Sequence, residues 1–102
     1  MAYEPVLPPD TANEITEFIR NRYVGQASEM AAADAIEREI QKITANPALG
    51  VPGYGGPFES RRIYQFNVQV GDSIRTVELV YRVTTRPSVV FSGFREVLAT
   101  PL

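Results

Sequence analysis

Apolar and polar residues alternate on a period of two through residues 74–83. Val77, Leu79, Tyr81 and Val83 fall on one side, and Ile74, Thr76, Glu78, Val80 and Arg82 on the other. That pattern predicts a half-buried strand, with the first set facing a core and the second open to water or to a partner. Residues 61–70 alternate in the same way and place Tyr64, Phe66, Val68 and Val70 together. Gly71, Asp72 and Ser73 supply hairpin chemistry between the two runs. Arg86 and Pro87 interrupt the pattern, and residues 88–95 resume it, so 74–83 is expected in the middle of an antiparallel meander.

Earlier in the chain the period changes. Residues 3–7 (YEPVL) form a short apolar run, in which Pro5 suits a sheet edge. Ala12, Ile15, Phe18, Ile19 and Tyr23 recur at helical spacing and predict a helix over about 10–23. Thr11 and Glu14 have the spacing of a capping box, with Asp10 as a rival cap. A second helix is expected from 27 or 28 to 45, with Met30, Ala33, Ile36, Ile40 and Ile43 as its apolar stripe. Asn46 and Pro47 stop it. The short link around Gly25 predicts a helical hairpin. The Gly/Pro-rich stretch 48–57 reads as a loop; no lysine follows it and no helix starts there, so it is not a phosphate loop. The expected order is β-α-α-β-β-β, an α+β two-layer sandwich with the helical hairpin packed on a small antiparallel sheet. At 102 residues the chain is expected to be one domain spanning 1–102.

Composition narrows the chemistry. With no cysteine and no histidine, the chain has no thiol nucleophile, no disulfide and no Ser-His-Asp triad, and no metal or other cofactor is expected. There is no apolar run of membrane-spanning length and no secretory signal pattern at the N-terminus, so a cytoplasmic location away from membranes is expected. The net charge is −2, the wrong sign for a general RNA binder. It is unevenly spread: residues 1–50 carry four basic and eight acidic residues, and residues 51–102 carry six arginines and four acidic residues. The predicted strands form the electropositive half.

Several residues and the element order resemble the RelE/ParE superfamily of bacterial toxins, the toxic halves of type II toxin–antitoxin (plasmid stabilisation) systems. Asn46 and Pro47 followed by a glycine-containing loop resemble the family's passage from helix to sheet. The run LVYRV at 79–83 is similar to its central strand, and SGFRE at 92–96 to the end of its last strand. The likeness spans roughly residues 3–97. It implies a first strand lying beside the last, a cognate antitoxin as partner, and assembly into homo- or hetero-oligomers. It also implies one of two targets: mRNA on the ribosome, cut by an endoribonuclease, or DNA gyrase, poisoned without cleavage. By position, Arg95 matches the arginine of the last strand, and Arg61 and Arg62 fall near the basic pair of the second. Glu78 stands where the cutting branch has an arginine, and that branch's C-terminal tyrosine or histidine has no counterpart here. Each absence favours the non-cutting branch, or a non-toxic protein-binding module on the same fold.

The candidate catalytic set is therefore Arg95 and Arg62 for phosphate charge and Glu78 as general base. Arg61, Arg82 and Arg75 are candidates for holding substrate or partner. Bland alternatives accompany these. Arg95 is expected to pair with Glu96 or Glu78 if it is only structural, and Glu78 with Arg61 or Arg82 across strands. Tyr64 and Tyr81 lie on the predicted core rows. Arginines converging on one carboxylate favour catalysis, and scattered ones favour binding.

Overall fold

A computed structural model describes residues 3–53 and 61–101. The chain runs through β1 (Glu4–Val6), α1 (Pro9–Arg22), α2 (Gln26–Ala45), a 3-10 turn (Pro47–Leu49), β2 (Val51–Pro52), β3 (Arg61–Val70), β4 (Ser73–Val83) and β5 (Ser88–Pro101). The strands form one sheet in the order β1-β5-β4-β3-β2. β1 runs parallel to β5 and the other neighbours are antiparallel. The α+β class therefore holds, but the sheet is mixed and has five strands. The added strand, β2, lies inside the stretch expected to be loop; residues 54–57 of that stretch fall outside the described residues.

β3 and β4 pair along their whole length, from Arg61 opposite Arg82 to Val70 opposite Ser73. Gly71 turns the chain between them with φ of 56°, a left-handed conformation that glycine reaches without a Cβ clash. The predicted core row is in place. Val77, Leu79 and Tyr81 are fully buried, Val68 is buried, and Tyr64 and Phe66 pack against the core from its margin. Helix residues Phe18, Ile19, Ala32, Ile36 and Ile43 close it from above.

β5 departs furthest from a simple alternation. It extends to Pro101 rather than stopping near residue 95, and its register against β4 shifts twice. At the first shift Tyr81 faces Phe91 while Val80 faces Gly93, so Ser92 is an extra residue on β5. This bulge puts both Phe91 and Phe94, three residues apart, on the core side. It also turns Arg95 to the opposite face. A strict period of two from Phe91 would have sent Arg95 towards the helices.

The helices differ from expectation at their ends and along one face. α1 starts at Pro9, whose fixed φ suits the first helical position and whose missing N–H is not needed there. The capping box is not formed: the cap is Pro8, without a side-chain hydrogen bond. Thr11 lies inside the helix instead, buried, and its hydroxyl donates to the Phe91 carbonyl at 2.7 Å, which ties α1 to β5. α2 starts at Gln26, and its inner face carries Ala32 rather than Ala33, while Met30 is 59% exposed. Near its C-terminal end Glu39 accepts from the Tyr64 hydroxyl at 3.0 Å and pairs with Lys42 at 2.7 Å, which fixes α2 over β3.

Tyr81 holds the connection from α2 into the sheet. Its buried hydroxyl donates to the Pro47 carbonyl at 2.6 Å and accepts from the Gly50 N–H at 2.8 Å. A Cβ at residue 50 would stand 2.6 Å from that oxygen, so only glycine fits. Among the described residues no helix is long and apolar enough to cross a membrane.

Candidate functional site

The face of the sheet away from the helices is built from alternate residues of three strands. Register places Gln65, Glu78 and Arg95 in one row, Ile63, Val80 and Gly93 in the next, and Arg61 beside Arg82 beyond them. At the centre Arg95 donates through Nε to Glu78 Oε1, and Gln65 Nε2 donates to Glu78 Oε2 at 3.3 Å. The Glu78 side chain is only 3% exposed, whereas Arg95 is 66% exposed. The expectation that Glu78 lies open to water is therefore corrected. A mid-strand carboxylate survives burial here because a charged donor and an amide take up its two oxygens.

Two hollows flank this pair. One, of about 590 Å³, is lined by Glu78, Arg95 and Gln65 together with the apolar Leu49, Val51 and Val97. The second, of about 230 Å³, has Ile63, Val80 and the bare Gly93 as its floor, with Arg61 and Arg95 at its rim. Glu14 of α1 also lines the second hollow.

The predicted site residues separate into two groups. Arg95, Glu78, Arg61 and Arg82 share the open face. Arg62 does not join them: it belongs to the helix-side row of β3, and its Nη1 donates to the Gly50 carbonyl at 2.6 Å. It braces the connection that Tyr81 holds. Arg75 is also on the helix side. It donates to Ser73 Oγ and to Glu96, and Glu96 accepts from Arg22 Nε at 2.8 Å. This Arg22, Glu96 and Arg75 cluster joins the end of α1 to β4 and β5, and Arg22 stacks on Phe18 with its guanidinium 4.8 Å from the ring centre. The Arg22 hydrogen bond, with the charges of Arg22 and Arg75, holds the Glu96 carboxyl below its ordinary value against the opposing effect of burial. Arg95 thus pairs with Glu78 and not Glu96: consecutive strand residues face opposite ways, and the Ser92 bulge puts Arg95, rather than Glu96, on the face of Glu78. Glu78 has Gln65 and Arg95 as its cross-strand neighbours, not Arg61 or Arg82. Tyr64 and Tyr81 serve the core and its margin.

The chemistry open to this arrangement is limited. Both Glu78 oxygens are engaged and the side chain is almost wholly buried, so little of the carboxylate is presented to a substrate hydroxyl. The Arg95 charge is already balanced by Glu78, which weakens it as a clamp for a transferring phosphoryl group. Its remaining N–H donors still face solvent. Among the described residues no cluster of three or more metal-ligating side chains is found. The apolar contributions of Leu49, Val51 and Val97 were missed by sequence reasoning, because 48–57 was read as loop and the last strand was expected to end near 95. No protein-family model, curated protein or solved structure matches this chain.

Proposed function

We propose that this chain is the toxin half of a RelE/ParE-like type II toxin–antitoxin pair and that it acts by binding its target rather than by cutting RNA. The toxin reading draws on the sequence resemblance, and the β1-β5-β4-β3-β2 order supports it, because the first strand lies beside the last as the resemblance implies. One observation carries the non-cutting form. Glu78, the one carboxylate among the candidate catalytic residues, is buried, and each of its oxygens already holds a donor, Arg95 on one and Gln65 on the other. The arginines that would have to converge on it do not: Arg62 and Arg75 belong to the other face. What the open face offers is a binding surface, with Arg61 and Arg95 lining its hollows and Arg82 beside Arg61. DNA gyrase or a component of the translation machinery is the target class, and a cognate antitoxin with an acidic segment is the neutralising partner. The test is induced expression in a bacterial host, with transcript ends mapped and plasmid supercoiling followed. Growth arrest with intact transcripts is the expected result. Arrest with newly cut transcripts would overturn the binding mechanism, and absence of arrest would overturn the toxin reading.

A further inference from the structure

Among the described residues, no strand covers the outer edge of β3 for most of its length. β2 pairs only with Arg62 and Ile63, and among the described residues no strand lies beside 64–70. The edge has a readable polarity. The Arg61 carbonyl accepts from the Gly53 N–H, and the Gln69 carbonyl accepts from the Tyr23 hydroxyl at 2.8 Å. Odd-numbered residues therefore turn their backbone groups outward, which leaves those of Gln65 and Asn67 directed at an incoming strand.

Other margins of the sheet carry features that discourage strand addition. β1 contains Pro5, β2 contains Pro52, and β5 has two register shifts and ends at Pro101. Between Tyr64 and Val70 there is no proline, no charge and no bulge. Beside the edge, on the helix side, lies a groove of about 440 Å³ between α2 and β3, walled by Ser28, Ala31, Ala32 and Ala35 and by Val68. The small side chains leave the groove unfilled. Alternate side chains of an added strand would enter it, the arrangement by which strand addition gains apolar burial beyond its backbone bonds.

The sequence of the edge is its own complement. About a two-fold axis at Asn67, an antiparallel second β3 sets Asn67 opposite Asn67, Phe66 opposite Val68, and Gln65 opposite Gln69, whose carbonyl would exchange or share its Tyr23 hydroxyl with the Gln65 N–H of the second copy. Amides meet amides on one face and apolar groups meet apolar groups on the other, and no like charges are brought together. We propose that this edge is a homodimer interface, occupied by β3 of a second copy of the chain. The proposal does not depend on the toxin reading.

Sedimentation equilibrium on the full chain tests it. The probes are the wild type, Asn67→Lys, Asn67→Glu and an equal mixture of the two variants. Asn67 is exposed and its backbone groups point away from β4, so both variants should fold, and circular dichroism melts verify this. The wild type is expected to dimerise with rising concentration. Each variant, meeting its own charge across the axis, should dimerise roughly tenfold more weakly or worse. The mixture, with Lys opposite Glu, should restore the dimer. A wild type that stays monomeric, variants that dimerise as tightly as it does, or a mixture without recovery would each overturn the proposal.

Discussion

Glu78 and Arg95 form an ion pair across β4 and β5 in which the carboxylate is buried and the guanidinium is not, at 3% and 66% side-chain exposure. The asymmetry fixes what each loss should do. Arg95→Ala leaves a buried carboxylate held by Gln65 alone, a loss of roughly 1–3 kcal/mol on the scale of an unsatisfied buried polar group. Glu78→Gln leaves an arginine that water can solvate, and should cost less than about 1 kcal/mol. Urea unfolding of the two variants measures the difference. Equal losses would mean that Glu78 is not buried as described.

Glu96 gives the fold a component of its acid sensitivity. Its carboxyl is held below the ordinary value by the Arg22 hydrogen bond and by the Arg22 and Arg75 charges. A carboxylate with a depressed folded pKa stabilises the fold above its unfolded value, near 4.5, and that contribution disappears as pH falls through the folded value. Glu96→Gln should therefore destabilise by roughly 1 kcal/mol at pH 7, given that the cluster is partly solvated. The gap between wild type and variant should close as pH falls below 4.5. Thermal melts across that range check it, and a gap independent of pH would contradict the assignment.

The Tyr81 hydroxyl should matter for stability apart from the ring. Tyr81→Phe keeps the packing but strips the Gly50 N–H and the Pro47 carbonyl of a partner, at about 1–3 kcal/mol. Gly50→Ala should be at least as harmful, because its Cβ would meet the same oxygen at 2.6 Å. Chemical denaturation of both variants is the check. A Tyr81→Phe variant as stable as wild type would show that water replaces the hydroxyl.

The parts of this fold legible in the sequence were those with a clean period. β3 and β4 alternate without interruption and meet at a glycine turn, so Leu79, Val77 and Tyr81 could be placed in the core. β5 was legible only at its start, because the Ser92 bulge breaks the parity on which face assignment depends. The same bulge explains why Arg95 comes to share a face with Glu78. Thr11 was misleading because a threonine near a helix start can cap the backbone or reach a neighbouring strand, and only the packing of α1 on β5 decides. The alanines of α2 blurred its inner face, since Ala32 and Ala33 are equally good helix formers and only tertiary contact separates them. Arg62 was placed in the site by its position in the family resemblance, and Arg75 was grouped with the other arginines. Strand parity separates them, Arg62 falling with Tyr64 and Arg75 with Val77.

The binding mechanism rests on Glu78 being structural, and one comparison tests that directly. Wild type and Glu78→Gln are expressed to equal soluble levels in a bacterial host, and growth and transcript ends are followed together. If the chain acts by binding, both should arrest growth to a similar degree and neither should produce new transcript ends. A catalytic base is worth roughly 10²–10⁴ in rate. Cut transcripts with the wild type that vanish in Glu78→Gln, along with the arrest, would contradict the account.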